Sequence, residues 1–167
     1  SVQAVAEVEA GSHGAFLPGG HPVILFERHI FHRRTDGRFD RRAPDLSNSK
    51  WGGYGLPRAQ PERLRRAAEL DWDAAHESCS WGLFQVMGYH HADIGWDSLE
   101  RFVQDMGESV VSHFQAFIGY IEANRLAGYL RDEDWAGFAR RYNGPSYKRN
   151  EYDTKLARAF RQAERRA

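Results

Sequence analysis

Apolar residues repeat at helical spacing over most of this chain, and only one short segment has the character of a β-strand. From Pro57 almost to the C-terminus, apolar side chains recur three and four positions apart, which is typical of amphipathic helices. The β-type segment is the apolar run at residues 22–26, which follows the Gly19-Gly20 turn signal. A chain with this pattern has too few strands for a large sheet. The predicted fold class is therefore α+β, predominantly α.

The order of the elements before Pro57 is predicted from the same pattern. Residues 1–10 read as the end of a helix that stops at Gly11. Residues 14–31 are predicted to form a small hairpin or two-stranded ribbon. Residues 33–57 are rich in turn-forming and basic residues, so they are predicted to form a long loop.

The helices predicted beyond Pro57 begin at residues that can cap them. The candidate caps, in chain order, are Asp71 or Asp73, Ser80, Asp97 or Ser98, and Asp132 or Asp134. The helix that begins at Ser80 would run through Met87 and end at Gly88. The helix that contains Val110 and Ile121 carries a wide apolar stripe, so we expect it to be the buried central helix.

Composition restricts the functional classes. The chain has 167 residues, with 23 basic and 23 acidic side chains, which disfavours a non-specific nucleic-acid binder. The length suits one domain, predicted over residues 1–167. No apolar run is long enough to span a membrane, and no secretory signal is visible. The single cysteine, Cys79, excludes an intramolecular disulfide and is predicted to be a packed core thiol.

Glu9 is the first candidate for chemistry. It lies on the apolar stripe of the first predicted helix, with Val2, Val5 and Ala6, just before Gly11. A carboxyl on an apolar face loses hydration in its charged form, so its pKa is raised. A raised pKa is what a general acid needs near neutral pH. The same spacing also fits a surface or capping glutamate at a frayed helix end.

Two later segments combine aromatic rings with amides. In residues 80–88, Gln85 lies among apolar residues that include Phe84, and its amide needs either a sugar or a backbone partner.

The second of these segments surrounds a tight turn with two phenols and an amide, contributed by Tyr142, Asn143 and Tyr147. Flat rings and amides suit sugar rings, although an ordinary turn has the same composition.

The histidines do not form a metal-ligand pattern. His29 and His32 are three residues apart on the predicted strand, so their side chains would face opposite sides. No metal is predicted at this pair or at His90 and His91.

Three motifs, in chain order, carry a family resemblance. They are VEAGSHGAF at residues 8–16 followed by PVILFERHIF at 22–31, SWGLFQVMG at 80–88, and YNGP at 142–145. Together they resemble the phage-endolysin N-acetylmuramidases of the lysozyme-like superfamily. The last two also resemble segments of lytic transglycosylases, and the FERH sequence at 26–29 separates the two readings.

The resemblance implies a lysozyme-like fold, with a small β-ribbon beside a helical lobe and a sugar-binding cleft between them. It implies that Glu9 is the general acid of a glycoside hydrolase that cleaves peptidoglycan between N-acetylmuramic acid and N-acetylglucosamine. Glu27 would be the second catalytic or supporting group, unless it forms an ion pair with Arg28 or a loop arginine. The rival carboxylates are Asp36, Asp40 and Asp45. The residues expected to line the sugar subsites are Phe84, Gln85, Tyr142, Asn143 and Tyr147.

The resemblance also implies the partners and location. No cofactor is implied, the partner is bacterial peptidoglycan, and a monomer is expected. The protein would be made in the cytoplasm of an infected bacterium and act at the cell wall in the periplasm, with a peptidoglycan-binding module upstream of this chain. The last predicted helix has a basic side that is either a solvated face or a contact for anionic envelope polymers or lipids: Lys155, Arg158, Arg161, Arg165 and Arg166. The alternatives are a lytic transglycosylase and a non-catalytic wall-binding module.

Overall fold

The computed structural model describes residues 14–144, 151, 153–155, 157–158 and 161. The chain divides into two compact units, Ala15–Tyr120 and the combination of Ser1–Gly14 with Ile121–Ala167. The helix predicted over residues 1–10 lies outside the described residues. A single catalytic domain over residues 1–167 stays a prediction.

The first unit contains one antiparallel sheet with the strand order β1-β2-β3. Its strands are β1 (Ile24–Phe26), β2 (Cys79–Trp81) and β3 (Val86–Met87). Ile24 pairs with Trp81 and Phe26 pairs with Cys79, so β1 is hydrogen-bonded to a strand far along the chain. Phe26 and Cys79 are fully buried, which places this end of the sheet in the core and confirms the prediction of a packed thiol. The β-type run of the sequence is therefore confirmed for its last three residues.

Residues 28–31 are helical, so the prediction of a ribbon through residue 31 is wrong. Helix α1 (Arg28–Arg34) begins directly after β1 and Glu27. Ile30 and Phe31 are adjacent and both buried, whereas a strand would place them on opposite faces. The helix brings Phe31 against Phe26, with ring centroids 5.6 Å apart. The argument that placed His29 and His32 on opposite sides of a strand is corrected with it.

Residues 80–88 form a hairpin rather than the predicted helix capped by Ser80. Gly82 and Gln85 have φ values of +67° and +50°, which a right-handed helix does not allow. A Cβ at Gly82 would lie 2.7 Å from the His113 ring, so a glycine is required for this close approach. The turn joins β2 to β3, where Trp81 pairs with Val86.

Four more helices that begin in the first unit agree with the predicted pattern. They are α2 (Gln60–Ala68), α3 (Trp72–Glu77), α4 (Leu99–Glu108) and α5 (Val110–Ala123). Asp71 caps α3 and Ser98 caps α4, each by accepting a backbone N–H bond. Helix α5 is only partly the buried helix that we expected, because Phe117 is buried whereas Val111 and Ile118 are exposed.

The segment between α1 and the short 3-10 helix Pro57–Ala59 is the predicted long loop. It is anchored by its own apolar side chains, since Phe39, Ala43 and Leu46 are buried. Its polar Ser47 is also fully buried and donates a hydrogen bond to Asp40.

In the second unit, α6 (Ala127–Arg131) precedes α7 (Trp135–Asn143). Asp134 caps α7 by accepting from the Gly137 backbone N–H, as one of the two predicted caps. Phe138 is buried and stacks on Tyr142, with ring centroids 5.3 Å apart. Among the helices of the described ranges, none combines the length and the apolar character that crossing a membrane requires.

Candidate active site

Glu27 lies at the corner where β1 ends and α1 begins. Its backbone N–H donates to the Ser78 carbonyl at 2.9 Å, and its carbonyl accepts from the Phe31 N–H at 3.1 Å. Its side chain forms no helix-capping bond, although Glu27 is the N-cap residue of α1. The backbone is thus fixed on both sides, while the carboxyl remains available for other contacts.

Burial dominates the electrostatics of the Glu27 carboxyl. The side chain is 19% exposed, and its burial raises its pKa against the opposing effects of a Tyr54 hydrogen bond and the charge of Arg33. The Tyr54 hydroxyl donates to Oε2 at 3.4 Å. Burial and the adjacent Glu27 carboxylate raise the pKa of Tyr54 to about 12, so the phenol stays a hydrogen-bond donor at neutral pH.

The contact between His29 and Glu27 is not a full ion pair at neutral pH. His29 Nδ1 lies 3.4 Å from Glu27 Oε2. Burial, together with the charges of Arg33 and Arg28, lowers the pKa of His29, so the imidazole is neutral. Within the described ranges, no arginine forms an ion pair with Glu27. The charge of Arg33 therefore acts on the Glu27 carboxyl without an ion pair, and burial outweighs it.

Arg28 makes a different contact from the ion pair that we considered for it. A Cβ at Gly53 would lie 2.6 Å from the Arg28 Cζ, so the guanidinium lies against the glycine-rich segment at residues 51–55. Asn48 donates its backbone N–H to the Arg28 carbonyl at 3.3 Å. Arg28 thereby joins the loop to the start of α1.

Gln60 connects the two chain segments that meet at Glu27, and sequence reasoning missed it. Its side chain is 1% exposed, and its Oε1 accepts from the Phe26 N–H at 3.0 Å. Its Nε2 donates to the carbonyls of Tyr54 at 2.6 Å and Leu56 at 3.2 Å. One amide thus holds the residue before Glu27 and the backbone of the tyrosine that contacts it. A glutamine beside a proline at a helix start gives no sequence signal for this role.

The pKa values of two carboxyls in the loop after α1, Asp40 and Asp45, are lowered, whereas that of Glu27 is raised. Hydrogen bonds from Ser47 and His32 lower the pKa of Asp40, with contacts of 2.5 Å and 2.8 Å. Burial opposes ionisation of Asp45, but the hydrogen bond and charge of Arg66 outweigh it, and the pKa is lowered. Asp36 lies in a turn with a φ of +50°.

The predicted sugar contacts at residues 80–88 are internal in this structure. Phe84 is 2% exposed and stacks on Phe117, with ring centroids 4.2 Å apart. Gln85 Oε1 accepts from Ser80 Oγ at 2.8 Å, and its Nε2 donates to the Gly82 carbonyl at 2.8 Å. We considered a sugar and a backbone group as partners of the Gln85 amide, and the structure shows that it bonds to protein groups. The Gln85 amide thus holds the β2–β3 hairpin together, and the Phe84 ring packs the hairpin on α5.

The remaining predicted site residues are described only in part. Tyr142 is half-buried in the last turn of α7, which ends at Asn143. Glu9 and Tyr147 lie outside the described residues. Within the described ranges, no group of three or more His, Cys, Asp and Glu side chains could hold a metal ion.

Comparison with known proteins places the chain in a family. The Muramidase family, described as N-acetylmuramidase, matches residues 1–164. The chain belongs to this family. It is similar to a solved structure, the crystal structure of the Burkholderia AP3 phage endolysin, with 40% identity and a TM-score of 0.91. None of the curated proteins compared with the chain matches it.

The match covers 97% of this chain and 64% of the phage endolysin, so the chain spans less than two thirds of that protein. The predicted fold class, lysozyme-like α+β with mostly helix, is confirmed by this likeness and by the small antiparallel sheet. The family resemblance drawn from the three motifs is confirmed as well.

Proposed function

We propose that this chain is the catalytic part of a peptidoglycan hydrolase that cleaves the β-1,4 bond between N-acetylmuramic acid and N-acetylglucosamine. The observation that carries the proposal is a partly buried carboxyl with a raised pKa, Glu27, in a chain whose residues 1–164 match the N-acetylmuramidase family. Glycosidases of most families use a pair of carboxyl groups.

In this proposal the two glutamates have different roles. Glu9 is the general acid that protonates the glycosidic oxygen, as its position on an apolar stripe before Gly11 suggests. Glu27 is the second group, which acts on the anomeric carbon or on the attacking water. The absence of an arginine ion pair at Glu27, within the described ranges, supports a chemical role over a purely structural one.

Contacts to the glycan are proposed for Tyr142 and Asn143, at the end of α7, and for Tyr147. Phe84 and Gln85 act in this proposal through the shape of the hairpin, because their ring and amide already have protein partners. We also propose that the protein acts at the bacterial wall. The exposed side chains of Lys155, Arg158 and Arg161 would contact anionic envelope polymers there.

The test is the action of the protein on purified peptidoglycan, followed by mass spectrometry of the released fragments. We expect fragments that have gained one water, and we expect Glu9→Gln to lose lysis while still binding the wall. Glu7→Gln is the matched control, because Glu7 points about 160° away from Glu9 on a helix. It should retain lysis.

Three results would contradict the proposal. Anhydro products would indicate a lytic transglycosylase, and binding without any product would indicate a wall-binding module. Full lysis by Glu9→Gln would remove the assignment of the acid.

A further inference from the structure

Trp51 is an exposed aromatic ring next to the Glu27 corner. Its side chain is 75% exposed, more than any other large apolar side chain in the described ranges. It opens the segment at residues 51–55, in which Gly52, Gly53 and Gly55 have φ values of +90°, +72° and +74°. These left-handed conformations favour glycine, which stands at three of the five positions of the segment.

The indole is supported by the residues that contact Glu27. The Trp51 and Tyr54 rings meet edge to face, with centroids 5.4 Å apart and planes at 89°. The Tyr54 hydroxyl reaches Glu27, and the Tyr54 carbonyl is held by the buried Gln60 amide. The contact with Tyr54 covers only part of the indole, since Trp51 remains 75% exposed.

Most of the apolar surface of Trp51 is in contact with water, which costs free energy, and no side chain in the described ranges covers it. A pyranose ring presents an apolar C–H face that stacks on flat aromatic rings, while its hydroxyl and acetamido groups form hydrogen bonds at the rim. Tyr54, whose ring packs on the indole, carries a hydroxyl that contacts the Glu27 carboxyl, and these two polar groups would provide such a rim.

We propose that Trp51 is a stacking platform for an N-acetylhexosamine ring of the glycan strand next to Glu27. This inference deepens the proposed function and rests on it. It assigns substrate affinity to the segment at residues 51–55, which no motif of the sequence indicated. Gln60 and Arg28 fix this segment, since the Gln60 amide donates to the Tyr54 carbonyl and the Arg28 guanidinium lies against Gly53.

The experiment measures binding of the N-acetylated hexasaccharide chitohexaose by tryptophan fluorescence and calorimetry. Trp51→Ala should weaken binding about tenfold, which corresponds to the loss of one aromatic stacking contact. Trp51→Phe should retain part of the affinity but lose the fluorescence change of Trp51. Leu56→Ala is the matched control, since Leu56 is an apolar side chain on the same loop that is 58% exposed. It should bind as the unchanged protein does.

Kinetics on soluble peptidoglycan fragments provide the second readout, and we expect the effect of Trp51→Ala in KM. Equal affinity and equal KM for Trp51→Ala and the unchanged protein would overturn the inference. That result would leave the proposed function standing if the unchanged protein still releases reducing ends. Failure of the unchanged protein to cleave peptidoglycan would instead overturn the proposed function.

Discussion

The carboxylates of the Glu27 corner and of the following loop lie close in sequence but in opposite surroundings. Glu27 is partly buried beside a phenol and a neutral imidazole, and burial raises its pKa. Asp40 is bonded to Ser47 and His32, whereas Asp45 is paired with Arg66, and both pKa values are lowered. The difference shows that burial raises the pKa of one carboxyl, whereas hydrogen-bond donors and a paired arginine lower the pKa of the other two.

This comparison separates structural carboxylates from the candidate for catalysis. A paired aspartate stays ionised and holds the loop to its neighbours, as Asp45 does with the α2 residue Arg66. A carboxyl that works as an acid or base needs a pKa nearer to the working pH. In the described ranges, Glu27 is the carboxyl with a raised pKa, so it should be the one whose loss affects chemistry rather than folding.

Substitution of Glu27 should change the rate of peptidoglycan cleavage far more than substitution of a loop aspartate, and this is the largest effect that we expect. Glu27→Gln keeps the shape and removes the titrating group, so we expect peptidoglycan cleavage to fall at least about a hundredfold. Asp45→Asn removes a loop carboxylate and should change the rate less than about threefold, since an exposed ion pair contributes little. Release of reducing ends measures both. Similar losses in the two variants would break the comparison.

Substitution of Gln60 tests whether the corner depends on its buried amide. Gln60→Leu leaves the Phe26 N–H and the Tyr54 carbonyl without partners, so we expect the free energy of unfolding to fall by about 2–4 kcal/mol. The matched control is Gln104→Leu on the exposed face of α4, with a change below about 0.5 kcal/mol. Urea denaturation measures both values. A Gln60→Leu protein as stable as the control would show that the amide is dispensable.

Removal of the Tyr54 hydroxyl sharpens the electrostatic side of the comparison. The hydrogen bond from Tyr54 lowers the pKa of Glu27, so Tyr54→Phe should raise that pKa further. The limb of the pH–rate profile that reports Glu27 should then move to higher pH, with a smaller rate loss than that of Glu27→Gln. A limb that stays in place, or moves to lower pH, would contradict the assigned role of the phenol.

The pH dependence of stability should show the smallest effect. Folding raises the pKa of Glu27 above its usual 4.5, so between 4.5 and the raised pKa the folded state binds more protons than the unfolded state. The free energy of unfolding therefore falls as the pH rises from 4.5 through the raised pKa. Folding lowers the pKa values of Asp40 and Asp45 below 3.8, so their contribution is lost as pH falls through the lowered values.

The control for this dependence is the Glu27→Gln protein. Urea denaturation across the pH range should show a flatter curve above pH 4.5 for this variant, with the acid side unchanged. A curve identical to that of the unchanged protein would contradict the raised pKa.

Much of the fold could be predicted because helix periodicity and capping are local properties. Asp71, Ser98 and Asp134 cap helices as their side chains allow, and the apolar run before Glu27 forms β1. The errors have a common physical cause. Short apolar runs such as residues 28–31 and 80–88 suit either a helix or a strand, and distant contacts decide between them.

Less of the site could be predicted, because its parts come from distant positions. Glu27 stood out in the sequence as part of a family motif, but the sequence did not link it to Tyr54, which hydrogen-bonds its carboxyl, or to Gln60, which fixes the corner. These residues lie 27 and 33 positions further along the chain, and they meet Glu27 and its neighbour Phe26 only in the fold. Phe84 and Gln85 are the opposite case. Their motif was conspicuous in the sequence, but in the fold the ring packs on Phe117 and the amide bonds to Ser80.

The most direct test is a carbon-detected NMR titration of the side-chain carboxyls of the unchanged protein. We predict that Glu27 titrates above 4.5, while Asp40 and Asp45 titrate below 3.8. A Glu27 carboxyl that titrates at or below 4.5 would contradict the account, because the corner and the loop would then be electrostatically alike.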